Sequence, residues 1–554
     1  MNRTLAVQAA VGGPALAGAV WLGLSLFRRR WPRLVAGTVL ALGAHAAAWW
    51  VFWLTFEGDV PSWRAFAPGL LGATVAVAAE VAILLAALRL QSLERWDVPA
   101  AGTALGVAAS AIVAAAYTGS LPVLAMTVVL PSVALAAVVL ARPGRPELRG
   151  LVPLAAADVV AVAGLVVAQV RGESAGLGAS PGAAAFLLLA AAAIKVGAVP
   201  GLGTWRLAGD AGPGGLIALA LRAQGIGLAV IGGLVMGGAG GSPLVAGVAA
   251  SALFVGAVAA LAVRDLASSL SAAVGVGATL PFLALGLGGA VGTRAFLVLF
   301  PAFLLAAGTI LLVGWPGDVP PRSSRAGWRW LGAAALAAAV LSILGFPPAG
   351  GFPGTWLTLS LAGVRAEASP VWLLVLGAAV VGLVLAGLAA VPAIRSARPG
   401  ALRAIPAALA GLALLYVGLQ PVRLAVGWWV RIESDLGTPV VLAATGAPEL
   451  PVLGGRNLAV IVGEAALLVA AVIALGRGFR DDSPPYAPGT PVRLQAALEG
   501  AWARLPLGRQ SGWVATGAAA WRKGLDLGVL AALELAAVVL VAVVVAEAAA
   551  SGFL

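Results

Sequence analysis

The feature that most limits this chain is a succession of apolar stretches, each close to the ~20 residues a helix needs to cross a bilayer. They fall at 4–27, 34–56, 69–88, 99–117, 121–141, 151–170, 183–200, 214–236, 243–263, 266–289, 295–314, 330–346 with its continuation to 362, 371–391, 404–422, 457–476 and 527–549. Only 10% of the 554 residues are charged and the mean hydropathy is +1.03, against about 25% charged for a soluble domain. The fold class that follows is an all-α polytopic membrane protein of about 14–16 transmembrane helices. No soluble enzyme fits this pattern.

The net charge of +12 comes from 34 Lys and Arg against 22 Asp and Glu. The apolar runs leave that surplus no exposed polar face, so nucleic acid is excluded as a partner and the bases belong in loops. Loops after odd-numbered stretches hold 24 of them, while the N-terminus and the loops after even-numbered stretches hold eight. Because cytoplasmic loops collect Lys and Arg, both termini are expected outside the cytoplasm, in a multi-pass protein of the cell (inner) membrane. The Arg28-Arg29-Arg30 cluster marks the first stretch as a retained anchor rather than a signal peptide. With no cysteine and His45 as the single histidine, the chain offers no disulfide, no iron–sulfur or bis-histidine haem ligation and no thiol chemistry. No cofactor, metal, redox or hydrolytic site is expected in it.

Proline and glycine interrupt two stretches, KVGAVPGLGTW at 195–205 and LGFPPAGGFPGTW at 344–356. Pro200 and Gly201 mark the first break; Pro347, Pro348, Gly351 and Pro353 mark the second. Non-helical backbone at membrane depth survives where it is buried in protein or lines a wet cavity, and paired breaks point to inverted repeats. Two inverted five-helix repeats are therefore expected, at 99–236 and 243–391. Helices 1–3 occupy 1–98, two further helices 404–476, a cytoplasmic amphipathic segment 477–526 and the last helix 527–554.

Only Lys195 and Lys523 are lysine, the other 32 bases being arginine. Lys195 lies about 18 Å along its stretch at 1.5 Å per residue, near mid-membrane. A desolvated lysine can release its proton, whereas arginine stays charged, so this position suggests titration; an intramembrane ionisable group is by default a candidate functional site. Asp158 and Glu80 also fall near mid-depth and are expected to pair with Lys195 or Arg222. Arg222 reads as a fixed positive charge beside the lysine or as the holder of Asp158. The stretches from 243 to 391 carry no comparable charge; Ser268, Ser269, Ser271 and Thr355 can bond waters there but cannot store charge. His45, near Trp49, Trp50 and Trp53, reads as a packing residue.

These residues resemble a known family, the antiporter-like membrane subunits of respiratory complex I, Mrp-type cation antiporters and membrane-bound hydrogenases. The resemblance runs from about 120 to 362. It is carried by Lys195, Pro200, Thr204-Trp205, Asp210-Ala211 and Gly212-Pro213, by VRDLASSLSAAVGVG at 263–277, by AFLVLFPAFLLAAGTILLVG, by SILGFPPAGGFPGTWL, and by AAADVV at 155–160. The chain also departs from the pattern. The family's acid in the fifth helix would fall near Met126, a further lysine near Leu305, and the Lys or Glu after the second break is replaced by Thr355. The eighth-helix His or Lys position falls near Leu221, beside Arg222, with Gln224 close by.

The resemblance implies a subunit of a multi-subunit membrane complex, NADH:quinone oxidoreductase-like or hydrogenase-like, with other membrane subunits and the lipid bilayer as partners. It would conduct protons, with Na⁺ as the alternative ion, along a hydrated path through Lys195, Asp158, Arg222, Gln224, Glu80 and Thr355. The missing charged groups favour another reading, a non-pumping scaffold that binds neighbouring subunits; the resemblance also extends to the membrane partner of inorganic-carbon uptake systems, which belongs to the same family.

Overall fold

The computed structural model describes residues 2–23, 30–59, 61–62, 66, 69–89, 97–118, 121–140, 151–170, 183–196, 243–262, 266–314, 326–368, 371–396 and 401–419. Arg222, Gln224, Pro200 and Gly201 lie outside these residues, as do the stretches at 214–236, 457–476 and 527–549 and the segment 477–526.

Fourteen helices are present among the described residues: α1 (Arg3–Gly23), α2 (Arg30–Phe56), α3 (Leu70–Arg89), α4 (Asp97–Tyr117), α5 (Leu121–Leu140), α6 (Leu151–Val170), α7 (Ala183–Val196), α8 (Pro243–Ala262), α9 (Leu266–Leu287), α10 (Gly289–Gly314), α11 (Ala326–Ile343), α12 (Phe352–Ala368), α13 (Val371–Ser396) and α14 (Ala401–Leu419). Apart from one isolated bridge between Phe66 and Thr118, no extended pairing occurs among these residues. Apolar segments of 19 to 22 residues at Arg3–Trp21, Val35–Phe56, Arg294–Val313 and Trp372–Val391 are each long enough to cross a membrane. The chain is an all-helical, multi-pass membrane protein.

Side-chain size sorts the helix faces. On α2, Ala41, Ala44, Ala47 and Ala48 turn inward while Val35, Val39, Leu42, Trp49 and Trp53 turn outward. On α6, Ala157 and Ala161 face in and Val159, Val166 and Val170 face out. Lipid tails are as apolar as leucine, so burial alone draws no helix to its neighbour; close contact between small residues does. The crossing of α1 and α4 is the tightest use of this rule. A Cβ on Gly106 would strike the Pro14 carbonyl and the backbone of Gly18. Pro14 lies inside α1, and close to it α4 bonds the α1 backbone: Ala15 N–H donates to Ser110 Oγ at 2.8 Å, and Thr103 Oγ1 donates to the Gly18 carbonyl at 3.3 Å. Neighbouring side chains thus satisfy backbone groups that lipid cannot.

Helices α1–α4 pack on one another, α5 on α4 and α6, and α6 on α7. In the second part, α8 lies against α9 and α13, while α10 packs against α3, α9, α11, α12 and α14. The stretch expected to run from 330 to 362 as one span with a continuation is two helices, separated by 344–351. Here α11 closes in a Schellman motif: Phe346 N–H donates to the Leu341 carbonyl at 2.8 Å and Gly345 N–H to the Ser342 carbonyl at 3.2 Å. Gly345 sits at φ +70°, a conformation that side chains disfavour. Ser342 Oγ then accepts from Gly351 N–H at 3.1 Å just before α12 starts. At the end of α12, Arg365 donates to the Leu287 carbonyl, the last residue of α9, and lies 5.1 Å over the Trp372 ring. That positive group satisfies an otherwise unpaired helix-end carbonyl.

Gly106→Val should force α1 and α4 apart and destabilise the fold by about 1–3 kcal/mol, the usual range for overpacking. Gly12→Val, at a position with open space around it, should leave thermal unfolding in detergent within error of the unaltered chain.

Candidate functional site

Helices α5, α6 and α7 bring one set of polar groups together inside the apolar bundle. Lys195 lies one residue before the end of α7 and is 2% exposed; Asp158, on α6, is 7% exposed. The Lys195 ammonium forms an ion pair with Asp158 Oδ1. It also donates to the Val128 carbonyl at 2.8 Å and to Ser132 Oγ at 3.4 Å, both on α5. The ammonium thus meets three oxygens from two helices, two as hydrogen-bond acceptors on α5 and one as its counter-charge on α6.

Local sequence explains how α5 provides its share. Pro131 lies inside α5, and it lacks the N–H that would bond to the Thr127 carbonyl four residues back. That turn is loosened, and within it the Val128 carbonyl accepts from Lys195. Ser132 follows one helical turn after Val128 and so faces the same way. Met126, the position nearest the family's fifth-helix acid, is 68% exposed and points out of the bundle. The counter-charge to Lys195 comes from α6 instead, through Asp158.

The other expected residues divide. Of the two partners expected for Glu80, Lys195 pairs with Asp158 and Arg222 lies outside the described residues; Glu80 Oε1, at 2% residue exposure, has no hydrogen-bond partner among the described residues. The reason is rotational. Glu80 lies three, four and seven residues after Val77, Ala76 and Ala73, which pack with α1, α2 and α4, so it shares their face and not the face towards α5–α7. Thr355 is buried on α12 and its Oγ1 has no hydrogen-bond partner among the described residues. The nearby hydroxyls of Thr279, Thr309 and Thr358 donate to carbonyls within their own helices. Leu305 is a partly buried core residue. His45 Nε2 accepts from Trp49 Nε1 at 2.9 Å on the same helix. No group of three or more His, Cys, Asp or Glu able to hold a metal occurs among the described residues.

Sequence reasoning missed Val128 and Ser132. The signal was present in VVLPS at 128–132, where a proline and a serine stand together in an otherwise apolar helix.

This arrangement, a buried lysine–carboxylate pair in a bundle of helices with small inward residues, defines a polytopic membrane protein with a charged centre. Among solved structures the chain is similar to one in the membrane-bound sulfane sulfur reductase, an archaeal respiratory membrane complex. That likeness has a TM-score of 0.61 and 15% identity, over 95% of this chain and 100% of that one. It is also similar to a chain of the Mrp complex from Dietzia sp. DQ12-45-1b (TM-score 0.59, 18% identity, 79% and 98% covered). A third similar chain is in respiratory complex I from Thermus thermophilus with bound aureothin (TM-score 0.57, 22% identity, 74% and 97% covered). No protein-family model and no curated protein matches the sequence. The chain shares its fold with these chains of respiratory complex I, the Mrp complex and the sulfane sulfur reductase.

Removing one partner of a buried ion pair leaves an uncompensated charge, at a cost of about 3–5 kcal/mol. Asp158→Ala should therefore lower stability by that amount, and Lys195→Met combined with Asp158→Leu should recover most of the loss. Unfolding of the unaltered chain and of both variants in one detergent measures the loss and its recovery.

Proposed function

We propose that this chain is an antiporter-like subunit of a multi-subunit membrane complex and that it conducts protons along a path centred on Lys195. The observation that carries this reading is the Lys195 ammonium held at membrane depth by Asp158, Ser132 and the Val128 carbonyl. Lysine is the basic side chain that can give up its proton when taken out of water, and Asp158 and Ser132 provide a carboxylate and a hydroxyl through which that proton can leave. Neighbours with the same fold belong to a respiratory complex, an Mrp complex and an archaeal respiratory membrane complex, which supports membrane subunits as partners. Loop charge supports the proposed orientation, with both termini outside the cytoplasm. The breaks near Pro200 and between α11 and α12 are assigned to the two inverted repeats, with Arg222 and Gln224 on the same path beyond the lysine.

A second reading, a non-conducting scaffold, is favoured by a different observation. Among the described residues of α8–α14, the buried polar side chains are hydroxyls, and most donate to carbonyls of their own helix. Among those described residues no buried group able to carry charge matches Lys195.

Arginine at 195 separates the two readings, because it keeps the positive charge but does not release its proton at ordinary pH. On the conduction reading, Lys195→Arg and Lys195→Met both abolish proton flux in proteoliposomes of the intact complex, while Lys195→Arg preserves assembly. Full flux in Lys195→Arg would leave the scaffold reading standing.

A further inference from the structure

We infer that α1–α4 enclose a second polar site, formed by Glu80 and Tyr117, that binds water and works independently of the Lys195 ion pair. The inference goes beyond the function proposed above, which uses neither residue. Both side chains are almost wholly inaccessible, at 2% for Glu80 and 1% for Tyr117. Glu80 Oε1 and the Tyr117 hydroxyl each lack a hydrogen-bond partner among the described residues, and their helices meet closely: a Cβ on Gly72 of α3 would strike the carbonyl of Ala116, next to Tyr117 on α4. Tyr117 packs in one cluster with Ala73, Ala76 and Val77, the residues whose face of α3 Glu80 shares.

The surroundings fit small polar guests. On α1–α3 this cluster is built largely from alanine, at Ala6, Ala10, Ala47, Ala48, Ala73 and Ala76, so the walls are apolar and the side chains short. The charged groups described on these helices are committed or distant. Arg3 is bonded to Asp59 at 2.6 Å on the surface; Arg30, Arg33 and Asp97 fall in the first turns of α2 and α4, and Arg89 is the last residue of α3. The single histidine, His45, is bonded to Trp49. A cation would need several converging oxygens, whereas a buried water needs two to four polar partners. A carboxyl and a phenol supply the first two, each able to donate and to accept.

The route in is also set by the fold. Residue 66, just before α3, pairs with Thr118, just after α4, so the start of α3 and the end of α4 share one membrane face. Tyr117 lies at that end of α4, and Glu80 lies ten residues along α3, about 15 Å in at 1.5 Å per residue. The phenol therefore stands between the surface and the carboxyl, and water bound to both gives Glu80 an exchangeable proton.

Radiolytic hydroxyl labelling of the intact complex in membranes tests this, because radicals formed from bound water oxidise the nearest side chain. Tyr117 should take up oxygen severalfold faster than Phe300 or Phe346, which are as deeply buried in apolar surroundings. Glu80→Leu should remove that advantage; Glu80→Gln, whose amide still binds water, should keep it and shows that the bundle folds. Lys195→Met should leave the labelling unchanged. A Tyr117 no more reactive than the buried phenylalanines, or equally reactive in Glu80→Leu, overturns the site. Loss of labelling in Lys195→Met overturns its independence. Because proton flux is not the readout, failure here leaves the Lys195 proposal intact, and failure of flux leaves this one intact.

Discussion

Desolvation of one ammonium governs the centre of this molecule. An uncompensated charge taken out of water costs several kcal/mol, and Lys195 is buried within protein. Everything around it answers that cost. Asp158 supplies the opposite charge, and Ser132 and Val128 accept hydrogen bonds from the ammonium. Three helices must hold their register for these four groups to meet, so the ion pair fixes α5, α6 and α7 against one another as much as their apolar packing does. A buried pair is weak evidence of stability by itself, since a well-packed apolar substitute often does as well. Its retention in so apolar a chain is what directs attention to function.

The two parts of the bundle handle polarity in opposite ways. In α5–α7 a loosened turn at Pro131 sends a main-chain oxygen to a side chain on another helix. Around 344–351 the interruption is closed on itself: the Schellman bonds, Gly345 and the Ser342–Gly351 bond consume the groups that the break frees. One irregularity reaches outward to a charge and the other is sealed. The same contrast appears in the hydroxyls of Thr279, Thr309 and Thr358, which are satisfied within their own helices.

Much of the fold was legible in the sequence because the bilayer imposes a length. The apolar stretch at 151–170 matches α6 to the residue, and most others agree with the observed helices to within a few residues, since hydrophobicity ends where the helix does. Lys195 and Asp158 were legible for a related reason, that ionisable groups in such stretches are rare and must face inward. Pairing was harder. Depth can be counted along a helix, so Glu80 and Asp158 looked equivalent; rotation about the axis decides between them, and a helix apolar on every face gives no periodicity from which to read it. Main-chain donors and acceptors are less visible still, because every residue has them and the sequence does not say which one a neighbouring helix will find.

That last point changes how the centre responds to mutation. Val128 contributes through its carbonyl, and any residue that preserves the helix offers the same oxygen. A substitution scan would register Lys195, Asp158 and Ser132 as chemically exacting and would find position 128 permissive. The residue that accepts from the ammonium at 2.8 Å is thus one whose identity the charge scarcely constrains, and its role would be invisible to any method that infers importance from intolerance to change.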